Sequence, residues 1–390
     1  MNPARCLCLV ILGIALAACA GPTVESLRDP VPEPLVTQSA VPGYKNIRHW
    51  GDNGEGLSPG IVAEIEAQQK ASGNIRKESN FLAVSGGGSN GAFGAGVLFG
   101  WTASGKRPEF TVVTGVSTGS LIAPFAFLGP PYDDYLKEAY TQVSGDDIFE
   151  RKGVLSILGS ASVADNTPLR QLVSRYVTAQ MLADIEREHK RGRRLLVGTT
   201  NLDAERPVVW DIGAIASSGV PGRQQLIQDI LVASASIPGV FPPVKIQVVA
   251  DGMTFDEMHV DGGTSNQAFM FPSNFSVREN DRKMNRKGIV RTLYVLRNGK
   301  VTPEFSKVKP QLASIVSKSI SSLIKTQGIG DLYRMYANAQ RDGIAFRAIW
   351  IPESFTMREP QPFDPPFMKA LFDLGYQMGR NGIPWAEQPP

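Results

Sequence analysis

The sequence predicts an α/β fold, a sandwich of helices around a largely parallel sheet. Short runs dominated by apolar residues, such as FLAVS (81–85), are typical of strands buried on both faces. Helix-like apolar segments separate these runs, and strands that alternate with helices indicate parallel pairing. With 390 residues, 42% of them hydrophobic and 20% charged, the chain is long enough for one large domain or two of moderate size.

The N-terminus resembles the leader of a bacterial lipoprotein. Residues 1–18 have one basic residue, Arg5, and then an apolar run of signal-peptide length that ends in small residues. Residues 16–19, LAAC, resemble the lipobox, in which the cysteine is lipidated and becomes the mature N-terminus. The alternative is a buried apolar helix with an incidental cysteine. Because the segment stands at the start of the chain, we expect Cys19 to carry the lipid.

This leader predicts a place in the bacterial cell envelope. All three cysteines (Cys6, Cys8 and Cys19) lie within residues 1–19, and the mature chain keeps only Cys19, so it is expected to form no disulfide and no thiolate metal site. Ala20 stands where an aspartate would retain the protein in the inner membrane, which favours the outer membrane.

Residues 19–45 are predicted to be a proline-rich tether. Prolines at 22, 30, 32, 34 and 42 leave too few apolar residues for a core. An extended proline-rich chain rises about 3.1 Å per residue, so the tether could span several tens of ångströms. A helix is predicted over 58–71, with Ser58 as its cap and Pro59 in its first turn.

The segments that follow alternate between strand and helix. The predicted strands are FLAVS (81–85), FTVVTGVS (110–117), RRLLVGTTNL (193–202), PVVWDI (207–212), RTLYVLRNG (291–299) and IAFRAIWI (344–351). The predicted helices are GAFGAGVLFGW (91–101), GSLIAPFAFLG (119–129), QLASIVSKSISSLI (311–324) and PFMKALFDLGYQMG (366–379). In the helix over 311–324, apolar residues recur at helical spacing; they are Leu312, Ile315, Val316, Leu323 and Ile324. We expect this stripe to be core, and a face that touches a membrane is the alternative.

A glycine loop follows the first of these strands and opens a helix. Its sequence, GGGSNG (86–91), fits the dinucleotide-binding pattern G-x-G-x-x-G. That interpretation needs an acidic residue at the end of the next strand to bind a ribose, and TGVSTGS (114–120) contains none. Free backbone amides at a helix N-terminus suit a developing oxyanion equally well.

The stretch Gly115-Val116-Ser117-Thr118-Gly119 has the spacing of a nucleophile elbow. A strand that turns sharply into a helix needs very small residues two positions either side of the nucleophile, which leaves the serine hydroxyl accessible. The alternative is an ordinary turn serine. The position of Ser117 between a strand and an apolar helix, shortly after the glycine loop, favours the nucleophile.

Histidine is scarce in this chain. His49 precedes the predicted domain, and His189 lies in the charged run EREHKRGRR (186–194), which we expect to be solvated. His259 alternates with apolar residues and is expected to be structural or orienting. No histidine follows it, although a triad of the α/β-hydrolase type places its histidine after the acid.

Asp261 is the candidate base in place of a histidine. It precedes Gly262 and Gly263, and two glycines allow the backbone to approach another group closely. A carboxylate that reaches the Ser117 hydroxyl can accept its proton directly. Because an ordinary aspartate is a weak base, the oxyanion donors must then supply much of the rate acceleration. A simple turn aspartate is the alternative.

The glycine loop, G-x-S-x-G and Asp-Gly-Gly, in that order, resemble the patatin-like phospholipases. The resemblance includes ASASIPGVFPPV (233–244) and TNLD (200–203), and it spans roughly residues 81–275. The remainder, 276–390, resembles the extension found in bacterial lipoprotein members and is expected to pack on the catalytic domain. The resemblance implies a three-layer α/β/α sandwich around a mostly parallel sheet, a phospholipid or other acyl-ester substrate, and no metal or other cofactor.

The resemblance also implies roles for single residues. Ser117 would be the nucleophile and Asp261 its dyad partner. The loop Gly86, Gly87 and Gly88 would form the oxyanion hole, with amide donors at Gly87 and Gly88, and Gly86 and Gly91 would shape the loop. The other motif glycines are Gly115, Gly119, Gly262 and Gly263. The family usually has Arg or Lys in the loop where this chain has Asn90, which puts charge assistance there in doubt.

We therefore predict a serine lipid acyl hydrolase of the phospholipase A or lysophospholipase type. The alternatives are a general carboxylesterase or thioesterase, and a lipid-binding envelope lipoprotein with an idle site. A net charge of +3 gives no reason to expect a nucleic-acid partner. The basic run of Arg187, Lys190, Arg191, Arg193 and Arg194 is expected to be a solvated helix end, with contact to anionic head groups as the alternative.

Overall fold

A nine-stranded sheet organises the protein. The computed structural model describes residues 28–53, 59–73, 76–151, 162 and 164–390. The strands are β1 (Arg48–Trp50), β2 (Glu78–Val84), β3 (Val112–Val116), β4 (Arg194–Asn201), β5 (Arg206–Asp211), β6 (Val244–Ala250), β7 (Met253–Asp261), β8 (Val290–Arg297) and β9 (Ala345–Trp350). Their order is β1-β5-β4-β3-β2-β8-β9, and β7 pairs with both β4 and β6.

The centre of the sheet is parallel and its margin is antiparallel. Neighbouring strands from β4 through β3, β2 and β8 to β9 all run in the same direction, whereas β1, β5, β6 and β7 form antiparallel pairs. In β8, Leu293 and Val295 enter one apolar cluster, while Leu296 enters the other. This alternation buries the strand on both faces, which explains its nearly continuous apolar sequence.

Helices cover both faces of the sheet. They are α1 (Pro59–Ala71), α2 (Gly91–Ala103), α3 (Thr118–Leu128), α4 (Asp133–Thr141), α5 (Thr167–Tyr176), α6 (Ala179–Lys190), α7 (Ile212–Ser217), α8 (Arg223–Ser234), α9 (Val277–Lys283), α10 (Leu312–Asp342) and α11 (Pro365–Asn381). The α9 and α10 side chains form one apolar layer with β2, β8 and β9, and α2, α3, α6, α8 and α11 contribute to the other. The predicted α/β sandwich around a mostly parallel sheet is confirmed.

The helix boundaries follow local capping chemistry. The Thr178 hydroxyl accepts a hydrogen bond from the Met181 amide at the start of α6, and Asp364 accepts one from Phe367 at the start of α11. These side chains satisfy amides that have no partner within the helix. Helix α10 ends at Gly343, whose φ of +69° is the left-handed conformation that glycine adopts without strain.

Residues 28–45 do not form the predicted free tether. Arg28 pairs with Asp203 and Asp256, and the backbone of Ala40 pairs with that of Val249. Val41 is buried in the main apolar cluster. Prolines break regular structure but are compatible with an extended chain that lies against a domain, and this explains the wrong prediction. The leader 1–18, Cys19 and the rest of the tether to residue 27 lie outside the described residues.

The domain reaches beyond the predicted limits of 81 and 275. Strand β1, which contains His49, pairs with β5 at one edge of the sheet. At the other end, β8 pairs with β2 and also with β9, so residues 276–390 complete the same sheet. The region predicted as an extension therefore supplies two strands of the central parallel unit.

The basic run over 187–194 is only partly solvated. The side chains of Arg187 and Lys190 are exposed, whereas Arg193, Arg194 and His189 are buried. The Arg193 guanidinium donates to the carbonyls of Phe110 and Phe127, and these bonds compensate for its burial. The prediction of a solvated His189 is thus wrong, because this histidine packs against Gly213 of α7.

The apolar stripe at the start of α10 is not core, contrary to the prediction. Leu312, Ile315, Val316 and Leu323 are exposed, and Ile324 is half-buried. The core contacts of α10 begin about two turns later, with Leu332, Met335 and Ala339. Helical spacing shows that apolar residues share a face but does not show what the face contacts. Within the described residues, no helix combines the length and the hydrophobicity needed to cross a bilayer.

Candidate active site

Ser117 lies at a sharp turn between β3 and α3. Its backbone has φ +55° and ψ −130°, a conformation that is uncommon for a residue with a side chain. A Cβ atom on Gly115 would collide with the carbonyl of Gly119, and one on Gly119 would collide with the carbonyl of Val84. The predicted elbow geometry is therefore present, and it requires glycine at both positions.

Ser234 holds the backbone of the elbow in place. Its hydroxyl accepts a hydrogen bond from the Ser117 amide (3.0 Å) and donates to the carbonyl of Gly198 in β4 (2.7 Å). The Ser117 carbonyl accepts from both the amide and the hydroxyl of Ser120. Ser234 lies in the stretch 233–244 that resembles the family, but sequence reasoning assigned it no role.

Two strands meet head to head beside β4 and bring Asp261 to Ser117. Strand β3 runs parallel to β4 and ends with Val116 opposite Gly198. Strand β7 approaches from the other direction and ends with Asp261 opposite Thr199, the next residue along β4. The Ser117 side chain forms a hydrogen bond with the Asp261 carboxylate at this junction. Ser117 and Asp261, predicted from separate motifs, therefore share one site.

The environment of Asp261 makes its carboxylate a better base than an ordinary aspartate. The residue is 5% exposed, and among the described residues no cation is paired with it. Burial raises the pKa of Asp261 to about 6, although hydrogen bonds from Ser117 and from the Gly263 amide (2.7 Å) oppose the shift. Gly262 packs against the Gly198 carbonyl and Gly263 against Gln267, in spaces where a Cβ atom would collide.

Neither ring nitrogen of His259 bonds to Ser117. Its Nε2 lies 3.0 Å from Glu257, and its Nδ1 lies 2.9 Å from the Thr199 hydroxyl. The indole of Trp210 donates to that hydroxyl, so the hydroxyl proton points to Nδ1 and Nε2–H donates to Glu257. Burial lowers the pKa of His259, despite the opposing effect of Glu257, and keeps the imidazole neutral at neutral pH.

The glycine loop presents two free amides, but not three. The Gly86 amide donates to the Gln267 carbonyl (3.0 Å), so Gly86 cannot serve as an oxyanion donor and the prediction that includes it in the hole is wrong. Among the described residues, the amides of Gly87 and Gly88 have no acceptor, and both glycines are accessible to solvent. Gly91 starts α2 so close to Thr118 that a Cβ atom would collide there, and Asn90 is half-buried beside it.

Asn298, which sequence reasoning missed, clamps this loop. It follows β8 directly, and its side chain donates to the Ser85 carbonyl (2.8 Å) and accepts from the Gly94 amide (3.0 Å). Its own amide donates to the Ser85 hydroxyl (2.8 Å). Gly87 packs so tightly on the Asn298 backbone that any Cβ atom would collide with it. Asn298 therefore fixes the loop between the end of β2 and the first turn of α2.

A narrow apolar cavity opens beside the elbow. Its wall comes from α3, α4, α5, α6, α8 and α11, and it includes Thr118, Leu121, Phe125, Leu172, Val173, Tyr176, Leu231 and Met368. The Thr118 hydroxyl is paired with that of Tyr140 (2.7 Å), which satisfies both polar groups within the apolar wall. In the part of the chain that the structure describes, no group of three or more His, Cys, Asp or Glu residues could hold a metal ion.

The buried Asp261 carboxylate predicts a stabilising substitution. Because folding raises its pKa from 3.8 to about 6, the folded state prefers the protonated form, and this preference is lost as the pH rises through 6. At pH 8 the buried charge therefore costs about 3 kcal/mol of unfolding free energy at most. We expect Asp261→Asn to raise Tm at pH 8 and to raise it much less at pH 4, as measured by thermal unfolding.

The exposed Asp373, paired with Lys369 in α11, provides the control. Asp373→Asn should change Tm by a small amount at pH 8. If Asp261→Asn lowered Tm at pH 8, or shifted it equally at pH 4 and pH 8, the buried carboxylate would not be destabilising.

Part of the chain is similar to a known protein family. The family model of patatin-like phospholipase matches residues 82–271, a range that contains the glycine loop, Ser117 and Asp261. A comparison with curated proteins found no match. Among solved structures, VipD from Legionella pneumophila is similar at 13% identity and a TM-score of 0.40, over 79% of this chain and 67% of VipD. Residues 82–271, just under half of the chain, are thus similar to the patatin-like phospholipase domain.

Proposed function

We propose that the protein hydrolyses acyl esters of phospholipids or lysophospholipids with a dyad of Ser117 and Asp261. The single observation that carries this proposal is the hydrogen bond between the Ser117 side chain and a buried carboxylate whose pKa is raised to about 6. Both nitrogens of His259 are engaged elsewhere, so the carboxylate is the base that contacts the serine.

The raised pKa of Asp261 suits the proposed role of general base. A base with a pKa near 6 is mostly ionised at pH 7, and it binds a proton about a hundredfold more tightly than one with a pKa near 4. The carboxylate therefore accepts the serine proton more readily than an ordinary aspartate would. Burial also keeps water from competing for the hydrogen bond with Ser117.

The proposed reaction has two steps. Ser117 Oγ attacks the ester carbonyl carbon, its proton passes to Asp261, and the free amides of Gly87 and Gly88 bind the oxyanion. The tetrahedral intermediate collapses to an acyl-enzyme as Asp261 returns the proton to the leaving alcohol. Water then attacks the acyl-enzyme while Asp261 accepts its proton, and Asp261 returns that proton to Ser117 Oγ as the fatty acid leaves.

The apolar cavity supports an acyl substrate. It begins at Thr118, next to the nucleophile, and its wall is aliphatic and aromatic. An acyl chain buried there would place its ester carbonyl at the turn where Ser117 and the glycine loop meet. This arrangement favours a lipid over a small ester, because burial of each methylene contributes about 0.8 kcal/mol to binding.

We also propose a membrane-anchored location in the bacterial envelope, by lipidation at Cys19. This proposal rests on the sequence of residues 1–19. A general carboxylesterase or thioesterase would prefer short-chain esters, and an idle lipid-binding lipoprotein would leave Ser117 unlabelled by a fluorophosphonate probe.

The dyad predicts a distinct pattern of mutant activities. Ser117→Ala and Asp261→Asn should each lower fatty-acid release from phospholipid vesicles by about a thousandfold or more, because they remove the nucleophile and the base. His259→Gln should retain activity to within about tenfold, since it keeps a polar group between Glu257 and Thr199. Thermal unfolding of each variant checks the fold. Loss of activity in a folded His259→Gln variant would identify histidine as the base and would contradict the dyad.

The pKa of Asp261 predicts the acid side of the pH profile. Because Asp261 must be ionised to accept the proton, kcat/KM should fall about tenfold per pH unit below pH 6. Initial rates with a soluble ester between pH 4.5 and 8 measure this limb. An unchanged rate down to pH 5 would show that the reacting carboxyl group has an ordinary pKa.

The clamp on the glycine loop predicts a loss of turnover rather than of binding. Asn298→Ala removes the bonds to Ser85 and Gly94 and should lower kcat about ten- to a hundredfold, with KM changed by less than about threefold. Asn381→Ala, an exposed substitution in α11, is the matched control. A change in KM alone would assign Asn298 to substrate binding and not to loop positioning.

A further inference from the structure

Helix α10 is much longer than the strands that it connects. It has 31 residues, whereas β8 has eight and β9 has six. At about 1.5 Å per helical residue and 3.3 Å per strand residue, the helix is roughly 20 Å longer than β8. Its core contacts come from its second half, so the excess length belongs to its first half.

The first half of α10 extends beyond the sheet, past the edge at which Ser117 lies. Strands β8 and β9 are parallel, so the helix between them runs back from the carboxyl edge to the amino edge. The start of the helix therefore lies beyond the carboxyl edge, where β3 ends at Ser117. Side-chain bonds fix the junction, because Gln327 donates to the Ser265 carbonyl and Asp331 accepts from the Gln267 amide. Both partners lie in the turn that follows Asp261.

This projecting half presents an exposed apolar face. Leu312 is 80% exposed and Leu323 is 70% exposed, and Ile315, Val316 and Ile320 are also exposed. At about 100° per residue, these five side chains fall within an arc of roughly 140°. Phe305 (80% exposed) and Val308 add to the apolar surface just before the helix. We call these seven residues the docking surface.

The segment that carries the docking surface is rich in lysine. Residues 300–325 contain five lysines (Lys300, Lys307, Lys309, Lys318 and Lys325) and one acidic residue, Glu304, which gives a formal net charge of +4. Glu304 already pairs with Lys300 and Lys325. Lys307 and Lys309 are exposed on either side of Val308. Exposed apolar side chains with exposed lysines beside them match the chemistry of an anionic lipid surface.

We propose that the docking surface binds an anionic lipid bilayer and turns the Ser117 edge of the sheet towards the lipid. The apolar side chains enter the boundary between head groups and acyl chains, and the lysines contact anionic head groups. This inference rests on the proposed function, because it explains how a lipid leaves the bilayer and enters the cavity beside Thr118. A second copy of the chain is a poorer partner, since two surfaces of charge +4 repel each other.

Vesicle binding tests the proposal without requiring catalysis. Full-length chains carrying Cys19→Ser and Ser117→Ala, which prevent lipidation and hydrolysis, are sedimented with vesicles of phosphatidylcholine, with or without phosphatidylglycerol. The apolar leader is common to all chains and does not affect their comparison. We expect binding about tenfold stronger with phosphatidylglycerol. Leu312→Ser with Leu323→Ser, and Lys307→Glu with Lys309→Glu, should each weaken that binding about tenfold or more.

Matched control variants lie at the amino edge of the sheet, away from the docking surface. Val290→Ser removes an exposed apolar side chain at the first residue of β8, and Lys283→Glu with Lys287→Glu makes the same charge change just before that strand. Both should bind vesicles to within about twofold of the parent. Equal losses in test and control variants, or equal binding to both kinds of vesicle, would overturn the proposal. It would also be overturned if the Leu312 and Leu323 variant changed only self-association, measured by light scattering.

Activity on a soluble ester separates this inference from the proposed function. With Ser117 intact, the two test variants should hydrolyse a soluble ester at the parent rate and vesicle phospholipid about tenfold more slowly. If the parent hydrolysed neither substrate but still bound anionic vesicles through this surface, the docking inference would stand and the proposed function would fail. If soluble-ester hydrolysis fell together with vesicle hydrolysis, the substitutions would act on the active site and the docking inference would fail.

Discussion

The hydrogen bond between Ser117 and Asp261 is the interaction on which the rest of the site depends. It forms because β3 and β7 end at successive positions beside β4, one running towards the junction from each direction. The turns that follow β3 and β7 both require glycine, because Gly119 and Gly262 pack directly against the backbone of neighbouring strands. The geometry of the dyad is thus a property of the sheet and its turns.

The same junction carries an energetic cost. Asp261 is buried with no cation paired to it in the described part of the chain, and its raised pKa shows that the folded protein disfavours the charged form. Because the folded protein destabilises this carboxylate, its protonation releases more free energy than the protonation of an ordinary aspartate. Other interactions compensate for this cost. They are the apolar contacts of the parallel strands, which are buried on both faces, and the hydrogen bonds of polar groups near the site, such as Ser234 and Asn298. His259 belongs to this supporting structure, in a chain of hydrogen bonds from Trp210 to Glu257.

Sequence alone predicted six of the nine strands and the two residues that meet at the site, but not β1, β6 and β7. These features leave local patterns, because continuous apolar runs indicate buried strands and glycines mark the tight turns. Ser234 and Asn298 carry no such pattern, and only the folded sheet shows that their side chains reach Ser117 and the glycine loop. Gly86 was wrongly included in the oxyanion hole for the same reason, since the acceptor of its amide, Gln267, is distant in sequence. The apolar stripe at the start of α10 was wrongly predicted to be core, because helical periodicity shows which residues share a face but not what that face contacts.

The most direct test of this account is the pKa of Asp261 itself. In a chain labelled with ¹³C at the aspartate carboxyl carbons, the resonance absent from Asp261→Asn can be followed through a pH titration. The account predicts a midpoint near 6, and a higher midpoint in Ser117→Ala, which lacks the hydrogen bond that stabilises the carboxylate. A midpoint near 4 that does not respond to Ser117→Ala would show that burial does not raise the pKa of Asp261 and that Ser117 does not interact with its carboxylate.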